Sequence, residues 1–110
     1  MDTIFISDST ELKKILHKKK LPCFSSSEAL KKIKKITVPT LVYADPGITK
    51  LRIDSIFNAA GRNNHVLLGV IDPKNKIRNV MDIIWRGAVD YISAKEITKG
   101  LMPTHFPRNT

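Results

Sequence analysis

Short apolar runs alternate along this chain with longer segments in which apolar residues recur every three or four positions. The apolar runs begin near residues 3, 21, 40, 65 and 89, and a segment of helical periodicity follows each of them. Leu12, Ile15 and Leu16 show the helical spacing, with lysines at positions between them. The pattern therefore predicts five strands, each followed by a helix, in a (βα)5 chain.

An alternating chain of this kind indicates an α/β protein with a parallel sheet, because right-handed crossover connections place helices on both faces of the sheet. The almost continuous apolar run over residues 65–71 is typical of a central strand that helices cover on both sides. We expect one domain over residues 1–102, with residues 103–110 as a tail or the beginning of a linker to an output domain.

The composition agrees with one small domain. The chain has 110 residues, of which 42% are hydrophobic, and this suits a single core. Its only cysteine, Cys23, has no internal disulfide partner, which favours a reducing, cytoplasmic location. No apolar run approaches the roughly 20 residues that span a bilayer, so we expect no contact with a membrane.

A net charge of +9 raises the question of a nucleic-acid partner. The local concentration of charge consists of nine lysines on the first two predicted helices: Lys13, Lys14, Lys18, Lys19, Lys20, Lys31, Lys32, Lys34 and Lys35. Lysines opposite an apolar stripe usually form a solvated face, and no arginine or aromatic residue lies among them for stacking on bases. A basic nucleic-acid-binding module stays open as an alternative function.

Candidate chemistry lies where the predicted strands end, because ligands of open parallel sheets bind beyond the carboxyl ends of the strands. Strand one ends in Ser7-Asp8, strand three in Asp45 and strand four near Asp72, while Lys95 follows strand five. Three carboxylates and an amine can therefore meet at one edge of the sheet.

The sequences IFISDST (residues 4–10), VYAD (42–45) and RGAVDYI (86–92) resemble the receiver domains of bacterial two-component signalling, including the stand-alone chemotaxis regulator. The resemblance spans residues 3–101 and implies a flavodoxin-like three-layer sandwich with strand order 2-1-3-4-5. It also implies that Asp45 accepts a phosphoryl group from a histidine kinase, and that Asp8, Asp45 and the Gly47 carbonyl bind Mg²⁺. Lys95 would be the counter-charge to the phosphoryl oxygens.

Several positions depart from the receiver pattern. Ser7 replaces one acid of the metal-binding pair, and Val70, Ile71 or Asp72 stands where a Ser or Thr normally contacts the phosphoryl group. Lys95 comes one position late and lacks the usual proline after it, and Pro46 alters the loop after the acceptor. Tyr91 matches the switch aromatic of receivers, but its partner hydroxyl is missing. We therefore expect a degenerate receiver in which phosphoacceptor activity and Mg²⁺ binding are weak or absent.

Simpler interpretations of the same residues stay open. Asp8 could cap helix one, Asp45 could begin an Asp-Pro-Gly turn, and Lys95 could be a solvated helix residue.

The face formed by helix four, strand five and helix five is the usual partner and dimer surface of receivers. Trp85, Arg86 and Tyr91 would form a binding anchor there, although Trp85 could equally be packed in the core. We expect a non-enzymatic regulatory domain of a signalling or transcription regulator that contacts a histidine kinase, an output domain or a second copy. A receiver that is fully competent for phosphorylation at Asp45 is the alternative.

Overall fold

The structure is a computed structural model that describes the backbone of residues 2–98, and their side chains except those at positions 50, 85 and 98. The alternation predicted from the sequence is confirmed over these residues. The elements are β1 (Asp2–Ile6), α1 (Thr10–Lys18), β2 (Cys23–Phe24), α2 (Ser26–Lys34), β3 (Thr40–Ala44), α3 (Lys50–Gly61), β4 (Val66–Ile71), α4 (Val80–Trp85), β5 (Ala88–Ile92) and α5 (Ala94–Thr98). The tail predicted over residues 103–110 lies outside the described residues.

The five strands form one sheet in the order β2-β1-β3-β4-β5, and every neighbouring pair is parallel. The chain thus has the flavodoxin-like α/β fold with the strand order 2-1-3-4-5. Strand β2 contains only two residues and forms one edge of the sheet, while β5 forms the other.

Helices cover both faces of the sheet, because successive strand residues point to opposite sides. Phe5 and Tyr43 pack with α1 and α5 on one face, whereas Ile6 and Val42 pack with α2 and α3 on the other. The Phe5 and Tyr43 rings are stacked, with centroids 5.1 Å apart. Gly69 of β4 pairs with Tyr43 of β3, and a Cβ at this glycine would come within 2.7 Å of the Tyr43 ring.

The ends of the helices follow local sequence signals. The Ser9 hydroxyl caps α1 by accepting a hydrogen bond from the Leu12 N–H at 3.3 Å. Ser25 and Glu28 are spaced as in a capping box, which predicts the start of α2, and the structure has this capping box. The apolar residues Ile77, Val80, Met81 and Ile84 predict a fourth helix that carries Ile77. That prediction is wrong for Ile77, because α4 begins at Val80 with Asn79 as its N-cap. Residues 72–78 form a loop between β4 and α4.

Candidate functional site

Three neighbouring strands, β1, β3 and β4, end side by side, and each is followed by a buried polar residue. Ile6 pairs with Ala44, so Ser7 and Asp45 come next on adjacent strands. Asp72 directly follows β4. Ser7 and Asp72 are fully buried and Asp45 is 4% exposed, so this edge of the sheet holds polar groups that need hydrogen-bond partners.

Both carboxylate oxygens of Asp45 accept a hydrogen bond from within the domain. The Ser7 hydroxyl donates to Oδ2 at 2.6 Å, and the Gly47 N–H donates to Oδ1 at 2.7 Å. The Ile48 N–H also donates to the Asp45 carbonyl at 3.2 Å, which closes a turn over Pro46. Asp45 therefore begins an Asp-Pro-Gly turn, as the simpler interpretation predicts, and it lies at the edge of the sheet where the receiver resemblance places the acceptor.

The side chain of Asp8 contacts the first turn of α2. The Ser26 N–H donates to Asp8 Oδ1 at 2.8 Å, and the Ser26 hydroxyl donates to Oδ2. Arg52 Nη1 in turn donates to the Ser26 hydroxyl at 2.8 Å. The idea that Asp8 caps helix one is wrong, since Ser9 does so, and Asp8 instead occupies the N-terminus of α2, where a negative charge is favourable.

Electrostatics at Asp8 favour its ionised form. Partial burial acts to raise the pKa of this carboxyl, but the hydrogen bonds from Ser26 and the charges of Arg52 and Lys13 outweigh it. The pKa of Asp8 therefore lies below its usual value. Asp8 is therefore ionised at neutral pH, and both of its carboxylate oxygens accept hydrogen bonds from Ser26 of α2.

These donors do not suit the magnesium site that the receiver resemblance implies. Mg²⁺ prefers a nearly octahedral set of oxygen ligands and is usually bound through one or two carboxylates together with several waters. All four carboxylate oxygens of Asp8 and Asp45 accept hydrogen bonds, and Ser7 contributes a hydroxyl that is turned toward Asp45. Gly47 presents its N–H to this cluster. Within the described chain, no group of three or more His, Cys, Asp or Glu residues is placed to hold a metal ion.

Asp72 holds the loop between β4 and α4. Its Oδ1 accepts a hydrogen bond from the Lys76 N–H, and its Oδ2 accepts one from the Ile77 N–H, both at 2.8 Å. The Tyr91 hydroxyl also donates to Oδ2 at 2.9 Å. Burial, followed by this bond to Asp72, raises the pKa of Tyr91 to about 12. Tyr91, whose usual receiver partner is absent from the sequence, thus finds a carboxylate partner instead.

Lys95 is not brought into contact with Asp45. It is the second residue of α5 and its side chain is exposed. The structure shows no hydrogen bond or ion pair between its amine and any other described residue. The role of a phosphoryl counter-charge stays a prediction from resemblance.

The predicted interface residues lie in or beside α4 and β5. Trp85 ends α4, but its side chain lies outside the described part of the chain. Arg86 forms an ion pair with Asp54 of α3, and its guanidinium carbon lies 4.5 Å from the centroid of the Phe57 ring. Arg86 and Tyr91 are therefore tied into the domain by internal contacts.

Exposed apolar residues on α4 and β5 were not foreseen. Val80, Met81 and Ile84 share one side of α4 and are 39–53% exposed, and Val89 on β5 is 58% exposed. Their helical spacing could have been taken for a buried stripe, and only the position of the short α4 shows that they face outward.

Sequence reasoning also missed the partners of two carboxylates. Ser26 stands in a run of three serines, and nothing in the sequence distinguishes it as the partner of Asp8. Tyr43 lies in an apolar strand, yet its hydroxyl donates to the Asp90 carboxylate on β5. Burial and this bond raise the pKa of Tyr43 far above its usual value.

No helix among residues 2–98 is long and apolar enough to cross a membrane. No protein-family model, curated protein or solved structure matches this chain at a significant level. The fold assignment therefore rests on the sheet order and connections of the structure, and membership of the receiver family stays a prediction from the sequence.

Proposed function

We propose that this chain is a receiver-like regulatory domain of a bacterial signalling or transcription regulator that acts through protein contacts and has weak or absent phosphoacceptor activity. The observation that supports this most is the state of Asp45. It stands at the end of β3, where a receiver keeps its acceptor, but it is buried and both of its oxygens accept hydrogen bonds from Ser7 and Gly47. A cytoplasmic location, where Cys23 stays reduced, belongs to this proposal.

Attack on a phosphoryl donor requires a carboxylate oxygen that is accessible and aligned with the leaving group. Asp45 would have to give up the Ser7 hydroxyl or the Gly47 N–H first. The resulting phosphoryl group would add negative charge to an edge that already holds Asp8 and the buried Asp72. Arg52 and Lys13 act on Asp8, but none of the described contacts brings a cation to Asp45 itself.

The proposed partner surface consists of the exposed apolar side chains of α4 and β5. Val80, Met81 and Ile84 are exposed together on one side of α4, and Val89 is exposed on β5; exposed apolar surface of this kind often marks a protein interaction site. An output domain, a histidine kinase or a second copy are the partners that the receiver resemblance suggests. Regulation by contact requires no turnover, so the proposal does not include enzymatic activity.

The test is phosphorylation with a small donor. The purified protein is incubated with acetyl phosphate and Mg²⁺, and its intact mass is measured, with Asp45→Asn as the matched control. We expect no addition of a phosphoryl group to either protein. A magnesium-dependent phosphoryl adduct that Asp45→Asn abolishes would establish the alternative, a competent receiver.

A further inference from the structure

A groove of about 690 Å³ runs beside the edge strand β2. We call it the β2 groove. One side is a stripe of α1 that includes Lys13, Lys14 and Lys18, and the other side is residues 21–24. Its surface is mostly apolar, because Leu21, Pro22 and the lysine stems contribute hydrocarbon. Asp45 does not line the groove, although the Ser7 N–H donates to the Phe24 carbonyl beside it at 3.0 Å.

The charge of the β2 groove has one sign. Lys13, Lys14 and Lys18 are exposed, and none of the residues that line the groove is acidic. On the far side of β2, the Lys32 amine lies 4.5 Å from the centroid of the Phe24 ring. Cations thus flank the edge strand from both α1 and α2, on opposite faces of the sheet.

We propose that the β2 groove binds an acidic segment of a partner protein. Apolar side chains of that segment would pack against residues 21–24, and its carboxylates would face the lysines of α1. An apolar centre with a charged rim is the usual anatomy of a protein interface. Complementary charge on the partner adds specificity and speeds association.

Other occupants fit the β2 groove less well. A second copy would bring the same lysines and a net charge of +9 against them. A two-residue strand with Pro22 before it and lysines beside it also resists pairing with an identical edge. Residues 99–110 contain Lys99 and Arg108 but no acid, so the chain's own C-terminal sequence lacks the complementary charge.

Nucleic acid is disfavoured by the chemistry of the lining. Single-stranded nucleic acid is usually held by aromatic rings and arginines that stack on bases. The β2 groove contains no arginine, and a lysine already covers the Phe24 ring. Among the lining residues only His17 and the Phe24 ring, which Lys32 already contacts, have rings that stack on bases, so the mostly apolar surface suits aliphatic side chains better.

The experiment uses a fluorescent synthetic peptide in which glutamate alternates with leucine or valine, and measures its binding by anisotropy. Lys14→Glu/Lys18→Glu reverses two charges of the groove, and Lys74→Glu/Lys76→Glu reverses two exposed charges in the loop before α4. We expect the first pair to weaken binding by about tenfold or more and the second by less than about twofold, since close charge pairs contribute more than distant ones.

Two further probes separate the possible ligands. A polyglutamate peptide of equal length should bind more weakly, because it lacks apolar side chains, and so should a single-stranded oligonucleotide. Amide resonances of Leu21, Cys23 and Phe24 should shift when the alternating peptide is added to the unmodified protein, which tests the site even if a variant fails to fold. No binding of the alternating peptide, equal losses in both variants, or tighter binding of the oligonucleotide would overturn the proposal.

Discussion

Replacing Ser7 with aspartate would create the acid pair that the receiver resemblance implies, and the structure indicates how far this would lower the free energy of unfolding. Ser7 is fully buried and its hydroxyl lies 2.6 Å from Asp45 Oδ2. The change therefore replaces a hydrogen bond to Asp45 with a second carboxylate at the same place. Two like charges about 4 Å apart repel by about 4 kcal/mol at an effective dielectric constant of about 20.

The matched control is Ser7→Asn, which has the same shape as the aspartate but no charge. Both variants share the strain of placing a larger side chain in a packed site, which typically costs about 1–3 kcal/mol. The difference between their free energies of unfolding reports the charge repulsion, to which the hydrogen bond that the asparagine amide can donate to Asp45 adds. We expect Ser7→Asp to be less stable than Ser7→Asn by about 3–4 kcal/mol at neutral pH, measured by urea unfolding.

The pH dependence gives the sign of the effect. Repulsion raises the pKa of the carboxyl pair above its value in the unfolded chain, so the native state holds a proton that the unfolded state releases. The free energy of unfolding of Ser7→Asp is then highest below about pH 4 and falls as the pH rises through the raised pKa. The gap between the two variants should accordingly close below about pH 4.

Magnesium provides the second part of the test. Millimolar Mg²⁺ should stabilise Ser7→Asp, because a cation can relieve the repulsion of the new pair, and should leave Ser7→Asn unchanged. If the aspartate and asparagine variants are equally stable at neutral pH, the side chain at position 7 does not face Asp45 in the core. That result would refute the site geometry.

Three further substitutions test contacts that hold this edge of the sheet. Asp8→Asn should lower the free energy of unfolding by about 1 kcal/mol, because α2 loses a charge at its N-terminus. Because folding lowers the pKa of Asp8, this contribution is present at pH values above the pKa of the unfolded chain and is lost as the pH falls through the folded pKa. The free energies of unfolding of the two proteins in urea should therefore converge at low pH. Tyr91→Phe removes the bond to Asp72 and should cost about 1–2 kcal/mol; equal losses with and without Asp72→Asn would contradict that pairing. Gly69→Ala places a methyl group against the Tyr43 ring and should lower stability by about 1–3 kcal/mol in thermal unfolding, whereas an unchanged melting temperature would contradict the close approach.

The elements of the fold were predictable because each depends on local pattern, while the contacts of the site depend on neighbours in space. Alternating apolar runs were sufficient for the order of strands and helices, and strand ends were sufficient to place Asp45 and Asp72 at one edge. Predicting the partner of Asp8 would have required knowing that β1 lies beside β2 and that the Asp8 side chain points toward α2. The start of α4 was misjudged because Ile77 fits a helical period, although its N–H is bound by Asp72.

The carboxylates at this edge are stabilised by contacts within the domain, and this bears on how the proposed function would work. An acidic edge normally needs a cation to offset repulsion between its charges. Here Asp8 is bound by the first turn of α2, Asp45 by its own turn and Ser7, and Asp72 by the loop before α4 and by Tyr91. Asp45 and Asp72 accept hydrogen bonds from neutral donors, and the charge of Asp8 is further balanced by Arg52 and Lys13. Under the proposed function, input would therefore act through the exposed surfaces, the apolar side chains of α4 and β5 or the β2 groove, and not through phosphorylation at Asp45.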